Sequence, residues 1–249
     1  MNRITFTTMA IFTGLLLRPA VVTAQGMIED TTPRKQALTT WGVQFEEFEY
    51  RYSDADEELG VWNGDLFYGT DEFKARWLTT GEYAINEQAY ETLENQFVAQ
   101  TPISRFFDAK AGIRIDTPEG PDRTYTVLGI AGLAPQWFEI DGSLYISDEG
   151  DASAAIDAEY ELLLTNYWIL AATLDSTVAF SEDRAIGIGS GLVSTETGLR
   201  VSYDLIDRAV SPYVGVVHER EYGNTADLTE AAGGDPEDWL GVVGLRMVF

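Results

Sequence analysis

Five carboxylates in the middle of the chain have a spacing that could do chemistry together. Glu139 and Asp141 stand two residues apart, and so do Asp157, Glu159 and Glu161. Residues two apart share one face of an extended strand but diverge around a helix of period 3.6. Neither stretch carries a basic residue between positions 137 and 165. Held on two neighbouring strands, the five would form a contiguous acidic wall with oxygen ligands alone. Such a donor set suits hard cations and offers nothing soft. His218, the one histidine, sits beside Glu219. It is a sixth candidate metal ligand, and equally an imidazole in an ordinary hydrogen-bond network.

The remaining composition excludes much else. There is no Cys, which removes disulfides, thiolate metal sites and a Cys nucleophile. A single His cannot build a paired-His zinc motif. With 41 acidic against 16 basic side chains and a net charge of −25, phosphate contacts to nucleic acid are not to be expected. A hydrophobic content of 45% is too high for a disordered acidic tail.

The elements that must position the carboxylates are strands. Apolar and polar residues alternate in about twelve pieces of roughly 10–12 residues, the signature of membrane-crossing strands. They run from 43–52 to 239–249. In the piece at 152–165, Ile156, Ala158, Tyr160, Leu162 and Leu164 oppose Asp157, Glu159 and Glu161. The last piece puts Val243, Leu245, Met247 and Phe249 opposite Arg246. Phase is unclear in the first, second and sixth pieces, as a β-bulge would make it. Short connections at 134–136 and 166–167 contrast with longer Gly-, Asp- and Pro-rich ones at 118–122, 182–191 and 223–238. Aromatics gather at strand ends, where a membrane interface favours them.

Residues 1–24 read as a secretory signal peptide. Arg3 precedes an apolar run, and Val22-Thr23-Ala24 ends it with small residues. A short periplasmic segment, 25–40, would follow, and residues 41–249 would form the barrel domain. The expected fold is an all-β, antiparallel, up-and-down transmembrane β-barrel of about twelve strands in the bacterial outer membrane. Its apolar face would meet lipid and its polar face would line a lumen. The phase places Arg76, Glu94, Lys110, Arg114, Asp175, Glu196, Arg200 and Arg246 inside with the five carboxylates. The lumen then reads either as a salt-bridged scaffold lining or as an acidic pathway for cations. Catalysis is not expected. A lipid-face hydrolase would need a Ser beside His218, and Ser211 is the nearby candidate, without a nucleophile motif around it.

From about Trp41 to Phe249 the chain resembles the copper resistance protein B family. The resemblance is carried by Arg123-Thr-Tyr-Thr-Val-Leu-Gly129, Gly132-Leu-Ala-Pro-Gln-Trp-Phe-Glu139 and Ala158-Glu-Tyr-Glu-Leu-Leu-Leu164. It continues in Gly187-Ile-Gly-Ser-Gly-Leu192, Glu196-Thr-Gly-Leu-Arg200, Pro212-Tyr-Val-Gly-Val216 and Glu219-Arg-Glu-Tyr-Gly-Asn-Thr-Ala-Asp227. It implies an outer-membrane barrel that binds or exports copper ions in copper resistance and homeostasis, often beside a periplasmic multicopper oxidase. Many members carry a Met- and His-rich segment ahead of the barrel. Here residues 25–40 hold Met27 and no His. The alternative reading is a small acidic cation channel or scaffold barrel without copper specificity.

Overall fold

The computed structural model describes residues 38–53, 57–118, 121–205 and 208–249. The targeting segment expected at 1–24 and nearly all of the segment 25–40 lie outside these residues.

Twelve strands follow one another: β1 (Thr40–Ser53), β2 (Glu58–Gly69), β3 (Lys74–Ala84), β4 (Ala89–Pro102), β5 (Phe107–Pro118) and β6 (Arg123–Ala134). Then come β7 (Phe138–Ser147), β8 (Ala152–Leu163), β9 (Trp168–Ala179), β10 (Gly191–Tyr203), β11 (Val210–Glu221) and β12 (Glu237–Val248). Each pairs antiparallel with its neighbours in sequence, and β1 pairs with β12, so the sheet closes into a barrel. Backbone bonds between Val43 and Phe249 finish the seam. Closure leaves no unpaired edge, which a bilayer requires. Among the described residues no helix is long and apolar enough to cross a membrane. The crossing elements are the strands.

Every expected piece is a strand, with ends shifted by at most three residues. The alternation has the physical meaning assigned to it. Leu144, Ile146 and Val243 are about half exposed on the outer surface, whereas Ser143 and Arg200 are buried inside. The outer coat is apolar, and aromatics mark both of its rims. Trp41, Tyr68, Trp137, Trp168 and Phe249 stand near the end that holds the start of β1. Tyr52, Tyr90 and Trp239 stand near the other.

That other end carries the long connections, 180–190 and 222–236, as the external side of bacterial barrels does. The expectation of a plain loop at 223–238 needs correction. Its first part is a helix, α1 (Gly223–Ala232), which stops where Gly233 adopts φ 93° and its N–H bonds back to Glu230. Weak amphipathicity hid it, because Gly, Asn, Thr and Asp at its start read as turn residues.

The uncertain phase of the first piece resolves as a bulge. The register of β1 slips between Phe45 and Glu47 against β2, and between Phe45 and Glu49 against β12. Glu46 and Glu47 therefore both line the lumen. From there on Glu49, Arg51 and Ser53 point inward, all buried.

Candidate functional site

The acidic wall is longer than the sequence reading placed it. Cross-strand register aligns Asp141 with Asp157, Asp157 with Asp175, Asp175 with Glu196, Glu196 with Glu219 and Glu219 with Asp238. Directly opposed residues on one face have Cβ atoms about 5 Å apart, so this is one continuous acidic row over six strands. It also climbs. Asp141 lies near the periplasmic end of β7, Asp175 near the middle of β9 and Asp238 at the external end of β12. Strand tilt in a closed barrel turns a hydrogen-bonded row into such a ramp. Glu139 and Glu159 are opposed in the adjacent row, on the periplasmic side.

The expectation that the central carboxylates lack basic partners is overturned for three of the five. Lys110 reaches Asp141 at 2.5 Å, and Ser143 donates to the same carboxylate at 3.1 Å. Lys110 arrives from β5 by passing over Gly129, where a Cβ would lie 2.8 Å from its Cε. Arg246 pairs with Glu159 at 3.1 Å and with Glu161. It comes from β12, four strands away round the barrel. Glu139 has no ion pair within contact distance among the described residues, but Arg246 stands close enough to act on it. Asp157 and Asp175 differ. Their carboxyl groups meet side by side, and neither makes an ion pair with a described cation. Two carboxylates in contact repel unless a proton or a cation lies between them.

A second cluster escaped the sequence reading because the bulge in β1 concealed the phase. Arg51, 1% exposed, donates to Glu49 at 2.8 Å, Glu219 at 2.8 Å and Glu196 at 3.1 Å. Glu47 at 3.3 Å and Glu82 at 3.9 Å complete its surroundings. Arg200 binds Glu47 and Glu49, both at 2.6 Å. Two guanidiniums thus serve five carboxylates drawn from β1, β3, β10 and β11. The usable signal was local: Glu47, Glu49 and Arg51 alternate with Phe48, Tyr50 and Tyr52. Further toward the outside, Arg114 holds Glu94 and Asp116 and lies over the rings of Tyr125 and Tyr145. These groups surround an internal cavity of about 1440 Å³, ample for water and hydrated ions.

His218 does not join them. It faces outward near the external end of β11, with Nε2 3.0 Å from Glu237 and its ring centroid 4.4 Å from that of Trp239. Ser211 is buried on the inward face and donates to Asp204 at 2.7 Å. The two side chains stand on opposite faces of one strand, so the pairing weighed for a lipid-face hydrolase does not form. Among the described residues no three His, Cys, Asp or Glu side chains converge as a group that could hold a metal ion. The row offers a succession of oxygen donors and no soft ligand.

Comparison with known proteins is consistent with this geometry. The family model described as copper resistance protein B precursor matches residues 39–249. A copper resistance protein B homolog of Pseudomonas syringae pv. tomato is 36% identical over 159 residues, covering 64% of this chain and 54% of that protein. The copper resistance protein B of Escherichia coli is 30% identical over 207 residues, covering 83% of this chain and 69% of that one. The match thus spans about half the length of the first relative. Among solved structures the NanC porin superposes with a TM-score of 0.50 at 9% identity, over 84% of this chain and 99% of its own. At that identity the likeness concerns the barrel fold alone.

Proposed function

The chain belongs to the copper resistance protein B family of the bacterial outer membrane, and from that premise we propose that its lumen conducts copper and similar cations along the acidic ramp. The observation that carries this reading is the unbroken row Asp141, Asp157, Asp175, Glu196, Glu219 and Asp238, with no ion-pair partner at Asp157 and Asp175 among the described residues. A cation passing a fixed carboxylate at 4 Å gains about 1–4 kcal/mol, depending on local hydration. Spaced along a ramp, such wells favour entering the bore without holding the ion there. Copper is cargo in this account, and the role is not catalytic.

Glu139, Asp141, Asp157, Glu159 and Glu161 would form the periplasmic stretch of the path. His218 with Glu237 would be a separate contact point at the outer rim. A periplasmic multicopper oxidase, where one is present, would meet the mouth at the opposite end. The ion pairs of Lys110 and Arg246 favour a second reading, in which the lining is a scaffold.

One experiment separates the two. The reversal potential of the purified barrel in a planar bilayer reports cation preference, with copper-dependent growth of a deletion strain beside it. Asp157→Asn with Asp175→Asn should reduce cation selectivity and copper tolerance together. Unchanged selectivity would assign the row to the scaffold.

A further inference from the structure

The connection between β9 and β10, residues 180–190, is folded over the external mouth. Asp183 and Ile188 exchange two backbone hydrogen bonds of 2.9 Å, which closes the segment into a compact arm. Gly187, at φ 74°, turns it. Ile186 and Ile188 line the lumen cavity. Half-buried apolar side chains on an external connection thus line the lumen, and apolar constrictions of this kind gate pores by dewetting.

Three tethers hold the arm. At one root, Ala152 N–H donates to Ser181 Oγ at 3.0 Å. At the other, Gly189 N–H donates to Thr225 Oγ1 at 3.0 Å, against buried Thr225 of α1. Gly189 fits so closely that a Cβ would lie 2.5 Å from that of Asn224. The third tether is different in kind. Arg123 at the external end of β6, three strands from β9, donates to both Asp183 oxygens, at 2.8 and 3.2 Å. The first two fasten the arm to elements beside it. The ion pair alone reaches across the opening.

We infer that residues 180–190 are a strap that closes the external mouth and that Arg123–Asp183 is its latch. Releasing the latch would leave the wall unchanged, since neither side chain takes part in the strand ladder. It would let the arm swing on its two roots and lift Ile186 and Ile188 out of the bore. This deepens the reading of the lumen as a pathway by supplying its gate, and its test does not depend on ion flow.

The chain has no Cys, so Thr177→Cys places a single thiol on the lumen wall beneath the strap. A bulky, membrane-impermeant maleimide is added to intact cells carrying the full chain, and the labelling rate is read. Arg123→Gln and Asp183→Asn should each raise the rate at least about tenfold. The charge-reversed pair R123D/D183R should return it toward the starting value. Heat-modifiable gel mobility confirms that each variant is a folded barrel. Equal labelling in all folded forms would overturn the latch. Faster labelling with unchanged selectivity in the Asp157/Asp175 variant would sustain the strap and sink the cation pathway.

Discussion

Replacing Arg51 by Gln removes a charge from a fully buried part of the lumen lining. Its guanidinium makes three contacts of 3.1 Å or less, to Glu49, Glu196 and Glu219. A hydrogen bond to a charged partner contributes about 1.5–3 kcal/mol, and three simply added would reach roughly 5–9. That sum is too large. The Glu196 and Glu219 side chains are 24% and 37% exposed, so water solvates them when the partner is lost. Glu49, with a side chain 0% exposed, has no such recourse and keeps only Arg200. The remaining guanidinium, Arg200, would then serve Glu47, Glu49 and, at 3.8 Å, Glu196. Removing one partner of a buried pair costs about 3–5 kcal/mol, and that is the expected loss for Arg51→Gln. Urea unfolding in lipid vesicles, followed by Trp fluorescence, measures it. Arg184→Gln breaks an exposed pair with Glu182 and should change stability by less than about 0.5 kcal/mol. The double variant R51Q/E49Q should recover at least about 1 kcal/mol of the loss, since it removes the stranded charge. A loss below about 1 kcal/mol for Arg51→Gln, or no recovery in the double variant, would refute the account of a strained acidic excess held by Arg51.

Two other outcomes follow from single contacts. Gly129→Val should cost at least about 2 kcal/mol by overpacking, because a Cβ there would lie 2.4 Å from the carbonyl oxygen of Gly142 and in the path of Lys110; gel mobility against urea concentration reads it. The latch should be sensitive to acid in one direction only. Arg123 beside Asp183 holds that carboxyl below the usual carboxylate range, so the ion pair's contribution is fully present above about pH 4 and is lost as pH falls through the depressed value. The thiolate fraction of Thr177→Cys itself falls with pH, so its labelling rate is divided by that of the Asp183→Asn form at the same pH; the ratio should stay low and flat from pH 7 to about 4 and rise toward one below that, and a ratio already near one at pH 5 would contradict the assignment.

Much of the architecture was legible because its signal is local. A strand that separates lipid from water writes a period of two into its own ten or so residues, so β8 and β12 can be read without their partners. The number of strands, their faces and the acidic spacing at Glu139, Asp141, Asp157, Glu159 and Glu161 all come from such short windows. The alternation at Glu47–Tyr52 was equally visible, but one bulged residue upstream hid which face it served.

Which charges meet is another matter. Arg246 pairs with Glu159 and Glu161, 87 and 85 residues away, and Arg51 with Glu196 and Glu219, 145 and 168 away. No local pattern ranks those partners, because closing the sheet brings distant strands to face one another across the bore. Register did the rest: it turned scattered acids into one ascending row, since a shift of a single residue would have sent every member to the lipid side. The amino-acid sequence alone determined a twelve-stranded outer-membrane barrel with an acidic interior. Closure, register and the inward fold of residues 180–190 decided which of those acids are paired with a base, which two stand together with no ion-pair partner among the described residues, and how the mouth is shut.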